Sequence, residues 1–301
     1  MTVAVVCVAI RLFFDVAMTD DQSFRLAVCN ELFEKSDFVE SCRVLRKAGW
    51  RGIEIAPFTL ADEATTLSME RRHEIRDIIT SEGLEFVGLH WLTVGPKGLH
   101  VTTPDEAVRK SSWDFVCRLV DLCADLRAER SGGVMVFGSP LQRRTEGHFS
   151  VETGVKNFIE GVQSIIPTLD DRGVTLLIEA LPIAQSDVIC TIDEAVHVVT
   201  ELGSSHVKTM FDSHNAVDEV ESHGDLIDRH WDFIRHIHVN ELDGTCPRPE
   251  GGYDFKPILQ VAKDRNFEGW VSMEVFDFAP GALKIITEAH SYLTGQIERL
   301  D

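Results

Sequence analysis

Eight short apolar runs of strand character alternate with eight segments of helical periodicity from about residue 24 to the C-terminus, and this alternation constrains the fold more than anything else in the chain. The runs fall at 24–29, 52–55, 84–89, 133–137, 174–179, 207–212, 234–238 and 270–274. The helical segments between them are expected at 37–48, 68–81, 104–129, 150–171, 191–202, 218–230, 255–265 and 282–299. Their boundaries carry chemical punctuation. Gly49 suits the left-handed position after a helix, Pro104 suits a first helical turn, and Thr191-Ile-Asp-Glu194 reads as a capping box. No Gly-x-Gly-x-x-Gly turn follows the first strand, so an open dinucleotide-binding sheet loses its main support. The expectation is an α/β fold, a single-domain (β/α)8 TIM barrel over residues 21–301. Residues 1–20 are expected to form an N-terminal extension outside the fold. Their apolar run lacks the basic start and small-residue cleavage site of a signal peptide, and up to Arg11 it is too short to span a bilayer.

Composition narrows the partners. With 29 Lys and Arg against 49 Asp and Glu, the formal charge of −20 repels DNA and anionic membrane surfaces alike. Neither a nucleic acid nor a membrane is expected as a partner. Seven cysteines, odd in number and without Cys-x-x-Cys pairs, point to a reducing cytoplasm rather than a disulfide framework.

Function is written at the ends of the strands. The runs 174–179, 207–212 and 270–274 finish on Glu179, Asp212 and Glu274, and 234–238 finishes on His238. In a parallel barrel the strand C-termini share one mouth, so these side chains converge there with Glu31, Glu54 and His90. A set so rich in carboxylates repels itself unless a cation sits among it. Three carboxylates and one imidazole make a mostly oxygen donor set, suited to one divalent ion: Mn²⁺ first, with Mg²⁺ or Co²⁺ as alternatives. Such an ion, with open coordination positions, can polarise a carbonyl and its neighbouring hydroxyl.

The sequences Ile-Glu-Ala-Leu-Pro around Glu179, Met-Phe-Asp-Ser-His around Asp212, His-Ile-His-Val-Asn-Glu around His238 and Ser-Met-Glu-Val around Glu274 resemble the xylose-isomerase-like barrel superfamily of sugar isomerases and epimerases. Cys29-Asn30-Glu31, Gly52-Ile-Glu54 and Gly88-Leu-His90-Trp91 resemble its first three strand ends. The resemblance implies that Glu179, Asp212, His238 and Glu274 hold the metal. It also implies that Glu179 and Glu274 act as the acid/base pair, moving a proton through a metal-bound enediolate of a ketose or keto-acid, with or without a phosphate. Ser139 with Arg143 and Arg144, or backbone N–H groups near Gly281, are the candidate phosphate contacts. His90, Glu54, His214, Asn215, Glu241 and Arg248 are the candidate substrate contacts, and Trp91 and Trp113 the candidate walls for the sugar's apolar face. The chain departs from the epimerase pattern in two places: His214 lies two rather than three residues after Asp212, leaving Asn215 in the expected place, and Gln185 stands where a glutamate is usual. A dehydratase or lyase acting on an inosose or 3-keto sugar would use the same metal site. An endonuclease IV-like phosphodiesterase fits less well, because Asp243-Gly-Thr does not supply the Asp-x-His pair it needs. A small-molecule sugar substrate and a homo-oligomeric assembly are the expected partners.

Overall fold

The structure, a computed structural model, describes residues 24–128 and 133–301. The extension expected over residues 1–20 and the helix end expected at Glu129 lie outside those residues. Strands β1 (Arg25–Cys29), β2 (Gly52–Ile55), β3 (Glu85–Leu89), β4 (Val134–Phe137), β5 (Thr175–Ile178), β6 (Val207–Asp212), β7 (Ile234–Val239) and β8 (Trp270–Met273) are all parallel and close into a barrel in chain order. Closure is direct: Arg25 to Val28 of β1 pair in register with Trp270 to Met273 of β8. The surrounding helices are α1 (Phe38–Lys47), α2 (Met69–Ser81), α3 (Glu106–Leu126), α4 (Val151–Arg172), α5 (Ile192–Leu202), α6 (His223–Arg229), α7 (Lys256–Asp264) and α8 (Ala282–Ile297). The expected (β/α)8 TIM barrel is the fold observed.

Alternation along each strand decides what faces where, because successive side chains point to opposite sides. Leu26, Val28, Ile53, Ile55, Ile237, Val239, Val271 and Met273 join one large apolar cluster with the helices. The intervening positions face the barrel axis. Ala27, Val87 and Trp270 form one small interior cluster, and Val136, Leu177 and Met210 another. Gly52 belongs to the same interior layer, and a Cβ there would stand 2.6 Å from the Trp270 ring and 2.7 Å from Val87. The missing side chain makes room for the indole. Above this layer the axial positions turn polar, with Cys29, Glu54, His236, His238 and Ser272 all buried. Strand alternation therefore stacks an apolar base under a polar upper barrel.

The helices begin where the sequence says they should, with three informative exceptions. Asp37, Ser68 and Ser150 cap α1, α2 and α4 by accepting from backbone N–H groups three residues on. Pro104, however, precedes the cap of α3 instead of occupying its first turn. Asp105 takes the capping role, accepting from Ala107 and Val108 N–H at 3.0 and 3.1 Å. The Thr191 hydroxyl accepts from Glu194 N–H as expected, but the Glu194 carboxylate reaches past the cap to Cys190 N–H at 2.6 Å. The helix expected over 218–230 is only α6, preceded by a 3-10 turn at Asn215–Asp218. Asp212 Oδ1 holds Asn215 N–H and the Ser222 hydroxyl caps α6, so these two side-chain acceptors divide the segment. Among the described residues no helix is long and apolar enough to cross a membrane.

Trp113, offered above as a sugar wall, belongs instead to the packing between α3 and α4. Its ring stacks on Phe137 with centroids 5.6 Å apart, and its Nε1–H donates to Val101 O at 3.1 Å. A Cβ built on Gly161 would lie 1.9 Å from Trp113 Nε1, so α4 approaches the indole only because residue 161 has no side chain. Gly161→Ala is expected to lower stability by about 1–3 kcal/mol through overpacking. Gly295→Ala on α8, where an added Cβ meets nothing within 4 Å, is expected to raise stability by about 0.5–1 kcal/mol. Urea unfolding midpoints of the two variants, measured side by side, check both signs.

Candidate active site

The polar upper barrel opens into a cavity of about 440 Å³ lined from β3, β4, β5, β6, β7 and β8 and the loops that follow them. Asp212 ends β6. Its Oδ1 accepts the backbone N–H of His214 at 2.7 Å and of Asn215 at 2.9 Å, which folds the loop beneath the carboxylate. Its Oδ2 is buried without a hydrogen-bond partner. His238 lies one residue before the end of β7. Its Nε2 is 3.2 and 3.3 Å from the two oxygens of Glu54, and its Nδ1 is 3.5 Å from Asp212 Oδ2 and 3.3 Å from Glu274 Oε2.

Glu179 follows β5 directly, and its Oε1 accepts from Asn215 Nδ2 at 2.8 Å. Glu274 follows β8, and its Oε1 accepts from Trp91 Nε1–H at 2.5 Å. Trp91 makes that contact from a left-handed backbone, φ 51°, a conformation uncommon for a bulky residue and concentrated at functional sites. One ligand atom from each of Glu179, Asp212, His238 and Glu274 lies within 4.8 Å of the others, and all four residues are buried. Burial, reinforced by the charges of Glu274 and Asp212, pushes the Glu179 carboxyl up to about 8. Like charges brought together away from water resist ionisation, and a divalent ion relieves that resistance. The orphaned Asp212 Oδ2 and His238 Nδ1 are the donors such an ion would satisfy, so the residues present fit a metal. Mutual proximity also selects Cys29 with Glu31, His90 and Glu274, and Cys29 with Glu54 and His238. These are weaker donor sets, because burial and the Glu54 charge push the Cys29 thiol up to about 11 and keep it neutral.

The candidate substrate contacts divide into two groups. His90, His214 and Asn215 line the cavity, as do Trp91 and Phe276, whose ring centroids are 6.1 Å apart. His90 Nε2 is 2.8 Å from Glu31 Oε2, and His214 Nδ1 is 2.8 Å from Leu242 O. Glu54, Glu241 and Arg248 do not line it. Glu54 is fully buried on the barrel axis, 2.9 Å from His236 Nε2 as well as close to His238. Burial alone would raise its carboxyl, but the two imidazoles outweigh that and hold it well below the usual carboxylate range. Glu241 folds its own loop, accepting from Arg248 N–H at 3.3 Å and Tyr253 N–H at 3.0 Å. The Arg248 guanidinium stays within that loop too, bonded to Thr245 Oγ1 and 3.5 Å from Asp243. Of the proposed phosphate contacts, Ser139 lines the cavity, while Arg143, Arg144 and Gly281 do not. Arg143 is fully buried behind Glu179, donating to Phe137 O and Glu179 O at 3.2 and 2.8 Å, while Arg144 pairs with Glu146. Gly281 lies away from the cavity, at the start of α8. Sequence reasoning missed Phe276 as a wall and His236 as a partner of Glu54. The second was discoverable, because His236 is two residues before His238 and therefore shares its face.

The family described as the xylose isomerase-like TIM barrel matches this chain over residues 42–295. D-psicose 3-epimerase of Agrobacterium fabrum is 28% identical over 186 residues, 61% of this chain and 63% of that protein, so the match spans less than two thirds of that relative's length. D-psicose 3-epimerase of Enterocloster bolteae is 26% identical over 240 residues, covering 78% of this chain and 75% of that one. Among solved structures, D-psicose 3-epimerase with D-tagatose from Clostridium cellulolyticum H10 superposes with a TM-score of 0.79 at 19% identity, over 92% of this chain and 99% of that one, a likeness of fold. With the profile match extending across most of the barrel, the chain belongs to the xylose isomerase-like TIM barrel family.

Proposed function

We propose that the protein is a divalent-cation-dependent 3-epimerase of a neutral ketose. The observation that carries this reading is the placement of Glu179 and Glu274, entering the cavity from β5 and β8 with Asp212 and His238 beside them. Glu179, Asp212, His238 and Glu274 would hold the ion, and when bound it would supply the Lewis acidity that acidifies the C–H at carbon 3 of a ketose. One glutamate removes that proton and the other returns one to the opposite face of the enediolate, which inverts the carbon. The Asn215 amide and the Trp91 indole fix the two carboxylates by one hydrogen bond each. Trp91 and Phe276 offer the apolar face of the sugar a wall and keep water from the reacting carbon.

Charge supports the neutral substrate. Among the described residues no Lys or Arg lines the cavity, and Asp243 stands at its edge. A phosphate or carboxylate group on the sugar would find no guanidinium or ammonium to receive it. The relatives named D-psicose 3-epimerase support carbon 3 as the site of inversion.

Incubation with Mn²⁺ and D-psicose or D-fructose in heavy water is expected to interconvert the two sugars with one deuterium incorporated at carbon 3. D-fructose 6-phosphate is expected to remain unchanged. Label at carbon 1 would identify an aldose–ketose isomerase instead, and loss of water a dehydratase. Glu179→Gln and Glu274→Gln are each expected to lower turnover by about 10²–10⁴-fold, measured by the same exchange assay.

Cation binding should carry its own pH signature. Glu179 is raised to about 8, and His238 is raised by Glu54 and its other acceptors against the opposing effect of burial. Glu179 therefore holds a proton at neutral pH in the metal-free protein, and the ion must displace it. Apparent Mn²⁺ affinity is therefore expected to climb with pH up to about 8, and calorimetry in buffers of different ionisation enthalpy should register proton release. An Asp212→Ala/His238→Ala double variant should lose the high-affinity binding event; a double variant that binds Mn²⁺ like the wild type would sink this assignment.

A further inference from the structure

We infer that Glu54 is a positioning residue for the metal centre: its buried carboxylate fixes the His238 tautomer so that Nδ1, the atom facing Asp212 and Glu274, is presented as the electron-pair donor. The inference rests on the cation reading above and concerns a residue that touches neither the cavity nor the proposed ligand atoms. Neutral imidazole carries one N–H and one lone pair, and the partner of one nitrogen decides the role of the other. His238 Nε2 lies 3.2 and 3.3 Å from Glu54 Oε1 and Oε2, acceptors only, so Nε2 carries the hydrogen. Nδ1 is then left bare, buried and without a hydrogen-bond partner, 3.3 Å from Glu274 Oε2 and 3.5 Å from Asp212 Oδ2. With the opposite tautomer, Nδ1–H would point at those carboxylates and stand where the ion must sit.

The surroundings keep Glu54 from serving anything else. It is 0% exposed, with His236 Nε2 2.9 Å from Oε2 and, more distantly, His90 Nδ1 3.9 Å from Oε1. Two imidazoles thus share one carboxylate, an arrangement an amide cannot reproduce, since a glutamine turns an N–H donor towards one of them. Cys29 Sγ at 3.9 Å is the other group near His238 Nε2, and its contact is too long to set a tautomer alone.

The test is Glu54→Gln, isosteric and one charge short, titrated with Mn²⁺ by calorimetry beside the wild type and Gly161→Ala. Loss of affinity by about 10–100-fold in Glu54→Gln, with Gly161→Ala destabilised but binding normally, supports the inference. Equal affinity in Glu54→Gln and wild type overturns it and leaves the cation site standing. Wild type binding no more tightly than the Asp212→Ala/His238→Ala variant overturns both. Should Glu54→Gln fail to fold, ¹⁵N imidazole spectra of the Zn²⁺-loaded wild type decide: Nδ1 coordinated with Nε2 protonated supports the role of Glu54, and Nε2 coordinated overturns it.

Discussion

Four potential ligands confined within 4.8 Å of one another, three of them carboxylates and all buried, set the terms on which the upper barrel can exist. Coulomb repulsion in a medium less polarisable than water is the interaction that must be answered. The protein answers part of it with donors: the Asn215 amide on Glu179, the Trp91 indole on Glu274 and the backbone N–H groups of His214 and Asn215 on Asp212. The remainder is left at Asp212 Oδ2 and His238 Nδ1, which have no such partner. That division between satisfied and unsatisfied atoms is what marks the cluster as a candidate site and not merely a polar core.

The barrel provides the frame in which this division is possible. A parallel strand delivers its last side chain to the same rim as its neighbours, and alternation brings every second residue onto the axis. The apolar layer of Ala27, Val87 and Trp270 at the base packs the strands against one another. Glu54 and the two histidines of β7 occupy the step between base and mouth. Precision at the rim thus derives from contacts made one layer below it.

The four convergent donors were legible in the sequence because each terminates an apolar run, and a run of four to six residues in a β-α repeat has only one end where chemistry can gather. Depth was not legible. Glu54 lies inside the strand-like run 52–55 and His90 just after 84–89, and Glu54 stays within β2 beside His236 and His238 while His90 opens onto the cavity. A difference of one layer comes from strand stagger, which periodicity does not encode. Glu241 and Arg248 were misread for another reason. The loop after β7 closes on itself through the Glu241 carboxylate and the N–H groups of Arg248 and Tyr253, and the competition between local and substrate contacts is settled by loop geometry. Trp113 carried no sign of its neighbour, since Gly161 lies on a different helix and the pairing is tertiary.

Trp91 brings opposing demands to a single position. Its backbone occupies a region that a glycine would enter freely, and a glycine there would ease the loop after β3. Such a change would also surrender the indole that orients Glu274 and shields the cavity. The residue therefore marks a compromise between robustness and performance. Attempts to make the protein hardier by substitution at this loop run against the conformation that holds one of its two proton-transfer candidates in place.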